Sequence, residues 1–135
     1  MSSCGDSIMG IENDLAAAQE KWRQDKPANY NMTLVRTCVC FPGASGSVEI
    51  VVREGVVISR YYTSNGMSVF TDFYAVFPHV DGLFEKIKSA ILAHVGKIEV
   101  NYDDSLGYPT SIYIDSDKGK DGDEFRYTVT KFELK

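Results

Sequence analysis

Residues 97–102 alternate. Ile98, Val100 and Tyr102 fall on one side; Lys97, Glu99 and Asn101 fall on the other. This period of two predicts a strand with one buried face. Residues 110–115 repeat it, with Ile112 and Ile114 inward and Ser111, Tyr113 and Asp115 outward. A third alternation sets Val48, Ile50 and Val52 against Glu49, Val51 and Arg53, and Glu54-Gly55 then turns the chain into residues 56–62. That hairpin needs Gly55 in a positive-φ conformation. Residues 30–40 carry Met32, Leu34, Arg36, Cys38 and Cys40 on one face and Thr33, Val35, Thr37 and Val39 on the other. Both faces are largely apolar, which predicts a central strand. Residues 125–134 form the last alternating segment.

Two stretches carry the other period. Ile11, Leu15, Ala18 and Trp22 recur at helical spacing among charged neighbours, and Pro27 marks the stop. Within 78–95, Val80, Leu83, Phe84, Ile87, Ala90 and Ile91 form an apolar stripe; Asp81 is expected to start that helix and Gly96 to end it. His94, in its last turn, reads as a cap beside the negative helix end. Residues 1–10 read as a flexible N-terminus and residues 11–135 as a single domain. The order is helix, three strands, helix, three strands. Short connections favour antiparallel neighbours. The expected fold is α+β: a curved antiparallel sheet of about six strands with both helices on one face. The open face would carry Glu49, Arg53, Tyr113 and Arg126.

Between the strands at 97–102 and 110–115 lies Tyr102-Asp103-Asp104-Ser105-Leu106-Gly107-Tyr108-Pro109. Asp103 suits an Asx-turn and Gly107 a positive φ. Pro109, without an N–H, suits the first residue of a strand. Tyr108 is the residue that a turn does not require. Trp22, Pro27 and Tyr30, the Cys38-Val39-Cys40 run, the Tyr102-Asp103 to Gly107-Tyr108-Pro109 stretch and Ile114-Asp115 together resemble a small family of unknown function, domain family 6174. The likeness spans residues 12–132. It implies a shared fold and no particular activity, and many members of that family are exported or lipid-anchored.

A net charge of −5 disfavours a nucleic-acid partner and an anionic membrane surface. No apolar run approaches the roughly 20 residues of a membrane span. Met1-Ser2-Ser3-Cys4 has neither a basic nor an apolar signal region. The expected location is therefore cytoplasmic, with an exported or anchored chain as the alternative.

Cys38 and Cys40 leave three readings open: two buried thiols, a disulfide, or a metal or redox site. On a regular strand their Cα atoms would stand about 6.5–7 Å apart, so a disulfide would need a kink. His79 and His94 lack ligand spacing to the thiols, and no metal or cofactor is expected. The acidic run 115–124 fails the calcium-loop register, with Lys120 and Arg126 at the glycine and glutamate positions. It reads as a solvated hairpin loop.

No phosphate loop, nucleophile elbow or zinc signature appears, so the leading reading is a non-enzymatic binding module. Tyr61, Tyr62, Phe70, Phe73, Tyr74 and Phe77 gather in a segment that no period places. It is either a loop folded over the core or an exposed aromatic flap for a protein partner or an apolar ligand. Tyr108 and Tyr113 are further candidate contacts. The alternatives are an apolar small ligand held between the sheet and the 78–95 helix, and a subunit that pairs with its own copy.

Overall fold

The computed structural model describes residues 8–116 and 124–135. Helix α1 covers Ile8–Asp25. Strands β1 (Tyr30–Cys38), β2 (Gly46–Arg53) and β3 (Val56–Tyr62) follow, then helix α2 (Val80–Leu92). Strands β4 (Lys97–Tyr102), β5 (Pro109–Asp115) and β6 (Glu124–Leu134) complete the order. The six strands form one sheet in the order β3-β2-β1-β6-β5-β4, antiparallel throughout. Each half of the chain lays down three strands, and β1 against β6 joins the halves. The expected α+β architecture is what the structure has.

The apolar phases of the strands converge on one face. Met32, Leu34, Val48, Ile50, Val52 and Ile112 are fully buried there, with Ile114 and Tyr127 beside them. Leu15, Ala18 and Trp22 of α1 and Leu83, Phe84 and Ile87 of α2 cover them. Removing that area from water is the main stabilising term. The β2–β3 turn takes the expected form, with Glu54 at φ 53° and Gly55 at φ 79°.

The structure departs from the sequence expectation in several places. Helix α1 begins at Ile8 instead of Ile11. Strand β1 stops at Cys38, because Pro42–Ala44 form a short 3-10 turn that pulls the chain off the sheet. Helix α2 begins at Val80 behind His79, and its end is turned at His94, which takes φ 54° and fills the left-handed position expected of a glycine. Glu49, expected on the open face, is 9 % exposed and accepts a 2.7 Å hydrogen bond from the Thr33 hydroxyl across the β1–β2 pair. The acidic run lies largely at 117–123, outside the described residues.

One polar contact ties the two helices. The Trp22 indole N–H donates to Asp81 Oδ1 at 3.0 Å, and Lys26 Nζ lies 2.9 Å from Asp81 Oδ2. His79 sits at the N-cap of α2, with Nε2 3.9 Å from the same carboxylate. Burial pushes the His79 pKa below its ordinary 6.5; Asp81 opposes this and the Arg60 and Lys26 charges add to it. The unfolded chain therefore binds this proton more readily than the fold does. Stability carried by neutral His79 is present above the unfolded pKa and is lost as pH falls below it. Comparing melting temperatures at about pH 7.5 and about pH 5.5 checks this, across the range where histidine titrates. The drop on acidification is expected to be smaller in His79→Gln than in the parent chain; an equal drop in both would contradict it.

Candidate functional site

The 102–109 turn is built as a plug for α1. Asp103 carboxylate Oδ2 accepts the backbone N–H groups of Ser105 at 3.1 Å and Leu106 at 2.7 Å, the expected Asx arrangement. Gly107 N–H donates to the Asp103 carbonyl at 3.0 Å, and Asp103 N–H donates to the Tyr108 carbonyl at 2.8 Å. Gly107, at φ +88°, lies against the helix: a Cβ there would stand 2.5 Å from the Ala18 carbonyl oxygen. Lys21 Nζ donates to the Asp104 carbonyl at 2.8 Å. Pro109 opens β5 and is buried. Tyr108 stacks on Phe132 with centroids 4.3 Å apart. Tyr102 lies parallel to Phe84 at 6.3 Å, its hydroxyl buried, and burial raises its pKa.

The opposite end of the sheet carries different chemistry. Because β1 ends early, Cys38 and Cys40 have Cα atoms 5.4 Å apart, closer than two residues of regular strand, and their sulfurs are in bonding contact. Arg36 Nη1 lies 3.0 Å from Cys38 Sγ and 3.7 Å from Cys40 Sγ, and donates to the Ala44 carbonyl at 2.8 Å. Its guanidinium carbon sits 5.1 Å from the Phe125 centroid and 5.6 Å from that of Tyr127. Burial pushes the Tyr127 phenol up to about 12, with Arg36 opposing it. The neighbouring Val39 and Phe41 are 79 % and 78 % exposed.

The aromatic segment is divided. Phe77 is fully buried, with its ring edge-on to Tyr62 at 6.2 Å. Thr71–Val76 form a 3-10 helix whose Phe73 ring lies against Gly43. Tyr62 hydroxyl donates to the Gly43 carbonyl at 2.6 Å. Together these contacts bring 42–47 and 62–73 side by side around an open groove of about 450 Å³. Tyr62 and Phe73 line it; Met67 and Phe70 line it too and remain highly exposed. Tyr74 is exposed beneath the Arg60 guanidinium, 4.5 Å from its centroid. Tyr61 bridges to Ser68. Tyr113 lies on the face away from the helices, with the Arg126 guanidinium 4.9 Å from its ring centroid. It stands on β5, four strands from Tyr61 on β3, or about 19 Å at the usual strand spacing. The structure therefore gathers Tyr62, Phe70 and Phe73 and separates Tyr108 and Tyr113 from them.

A second open groove, about 470 Å³, runs between α2 and the ends of β5 and β6. Gly82, Ala90, Val95, Ile114 and Phe125 line it, with Lys86 at the side. Burial lowers the Lys86 pKa, and Arg36 adds to the shift. Among the described residues, no group of three or more potential metal ligands is assembled. No helix among them is long and apolar enough to cross a membrane.

A family model described as a family of unknown function, DUF6174, matches residues 14–134. The chain belongs to this family. The DUF6174 match runs from α1 to the end of β6, so both ends of the sheet lie within it. No curated protein and no solved structure matches the chain.

Three residues that matter here escaped the sequence reading: Arg36, Phe41 and Met67. Arg36 did leave a signal, as the one charge in the apolar phase Met32, Leu34, Arg36, Cys38. Gly107 gives a direct test of the plug. Gly107→Ala adds a Cβ against the Ala18 carbonyl in a left-handed conformation, and is expected to destabilise the protein by about 2–3 kcal/mol. Denaturant unfolding measures it; a change under about 0.5 kcal/mol, the range of an ordinary surface substitution, would show that α1 can move aside.

Proposed function

We propose that this chain is a binding module that takes an apolar segment of a protein partner in the groove between 42–47 and 62–73. The supporting observation is Phe70. It is 74 % exposed at the lip of a groove whose floor is already built from Tyr62 and Phe73. Met67, 63 % exposed on the same groove, extends the apolar surface around it. Large apolar side chains exposed side by side along a groove are a usual mark of an interaction site. Aromatic residues and methionine are enriched where such sites are used. The serine and asparagine side chains on the groove wall supply hydrogen-bond partners for an extended backbone.

A second reading has its own observation. The groove beside α2 is lined mainly by apolar residues, among them Pro78, Ala90, Val95, Ile114 and Phe125, with Glu85 and Lys86 at its side, which suits a small, largely apolar ligand.

A displayed library of random peptides separates the two. The expected result is enrichment of peptides with an aromatic or aliphatic anchor, whose amide-shift footprint falls on 42–47 and 62–73. Affinity is expected to drop at least about tenfold in Met67→Ser/Phe70→Ser, since an anchor contact is worth about 1–2 kcal/mol. The melting temperature should stay within about 2 °C, because exposed side chains carry little stability. A footprint on Gly82, Ala90 and Ile114 instead, or affinity unaffected by the double substitution, would overturn the reading in favour of the groove beside α2.

A further inference from the structure

We infer that Cys38 and Cys40 form a thiol–disulfide exchange centre whose substrate is a protein dithiol, with Arg36 holding the sulfur of Cys38 as the leaving thiolate. The inference rests on the end of β1 and does not depend on the groove reading.

Two sulfurs and one cation meet at this point. Arg36 Nη1 reaches both sulfurs, the nearer being Cys38 Sγ. A positive charge within about 4 Å favours the charged form of an acid, here the thiolate. None of the contacts that Arg36 makes among the described residues is with a carboxylate, and its Nε is buried without a partner. The guanidinium thus lies directly against the two sulfurs. Among the described residues, the titratable groups coupled to it are Lys86 of α2, which adds positive charge, and the Tyr127 phenol of β6, which burial keeps neutral. The two cysteines are unequal in access: Cys38 is half-buried at the strand end, and Cys40 is exposed. Val39 and Phe41 flank Cys40 with exposed apolar side chains, which suit a protein segment better than a small polar thiol.

The exchange balances as follows. A substrate thiolate attacks Cys40 Sγ. The bond between Cys40 Sγ and Cys38 Sγ breaks, and its electron pair leaves on Cys38 Sγ beside Arg36. A mixed disulfide now joins the substrate to Cys40. The second thiolate of the substrate attacks the substrate sulfur of that bond, closing the substrate disulfide and releasing Cys40 as a thiolate that takes up a proton. The substrate loses two electrons and the Cys38/Cys40 pair gains them. A lower thiol pKa makes a better leaving group, so Arg36 acts on the first step.

The test uses the full chain carrying Cys4→Ser, so that only this pair reports, with a synthetic peptide dithiol bearing a phenylalanine beside one cysteine as the probe. The oxidised protein should form the peptide disulfide in equal stoichiometry while remaining folded. In the reduced protein, alkylation followed against pH should show one thiol with a midpoint at least about one unit below the ordinary 8.5 or so of free cysteine. That midpoint should move up by about one unit in Arg36→Gln and return in Arg36→Lys, which a merely structural role would not produce. In Cys38→Ser, the disulfide form of the same peptide should be attacked by the Cys40 thiolate, giving a mixed disulfide on Cys40 and one free peptide thiol. Two thiols with ordinary midpoints, or a pair reduced only after unfolding, would overturn the inference. If Arg36→Gln fails to fold, the separate pH profiles of Cys38→Ser and Cys40→Ser decide: the low midpoint must belong to Cys38, and its appearance in neither would overturn the inference.

Discussion

Trp22 presents its ring edge-on to three other aromatics: Tyr30 at 5.8 Å, Phe132 at 6.2 Å and Tyr108 at 6.4 Å. Those three are themselves stacked, Tyr30 on Phe132 at 4.9 Å and Phe132 on Tyr108 at 4.3 Å. The cluster draws one ring from α1, one from each of the two central strands and one from the 102–109 turn. Each such pair adds about 0.5–1.5 kcal/mol beyond the area it buries. Its greater effect is geometric. The rings set how closely the turn approaches α1, and at that distance only a residue without a Cβ fits at Gly107. The indole N–H, pointing out of the cluster, finds Asp81 and so orients α2 against α1. One side chain therefore positions the turn, the strand pair that joins the halves and both helices.

The register shows where this leaves the rest of the molecule. Tyr30 pairs with Val52 and Leu134, and Tyr102 with Pro109, so the aromatic cluster occupies one end of the sheet. Cys38 pairs with Phe125, and Phe125 with Ile114, at the other end. A nine-residue strand separates the two by about 27 Å. Of the residues that make the chain easiest to recognise, Trp22, Tyr30 and Gly107-Tyr108-Pro109 hold the fold together, while Cys38-Val39-Cys40 lies at the other end. The exposed apolar residues and the sulfurs lie where that scaffold leaves the chain free to turn off the sheet. Architecture and surface chemistry are thus separated in space.

That separation explains what was legible in the sequence. Strands and helices announce themselves by periods of 2 and 3.6, and β4, β5 and α2 could be read directly from Ile98-Val100, Ile112-Ile114 and the Val80–Ile91 stripe. The Asx-turn at Asp103 and the left-handed Gly55 follow from local chemistry and were legible for that reason. The 63–78 segment had no such signal: a six-residue 3-10 helix has a period of 3 over too short a run to stand out, and its burial is split, with Phe77 inside and Phe70 outside. His94 also misled, since a left-handed non-glycine is uncommon and the glycine two residues on drew the boundary. The candidate site was least legible because it depends on two distant segments, 42–47 and 62–73, meeting across the β2–β3 hairpin. Nothing in either segment alone encodes the meeting.

Arg36 shows how such a site can still leave a trace. A leucine at this position would fill the space under Phe125 and Tyr127 without desolvating a charge. A half-buried guanidinium costs free energy unless other groups compensate for the lost water. Here the compensation is incomplete: two aromatic faces, the Tyr127 hydroxyl, one backbone carbonyl and two sulfurs are weaker partners than a carboxylate. The same weakness keeps the positive field directed at the sulfurs, whereas a facing carboxylate would cancel most of it at this range. A charge placed in the apolar phase of a central strand, next to two cysteines and without an acidic partner among the described residues, is thus poorly explained by packing. It is well explained by a sulfur that must at some stage carry negative charge.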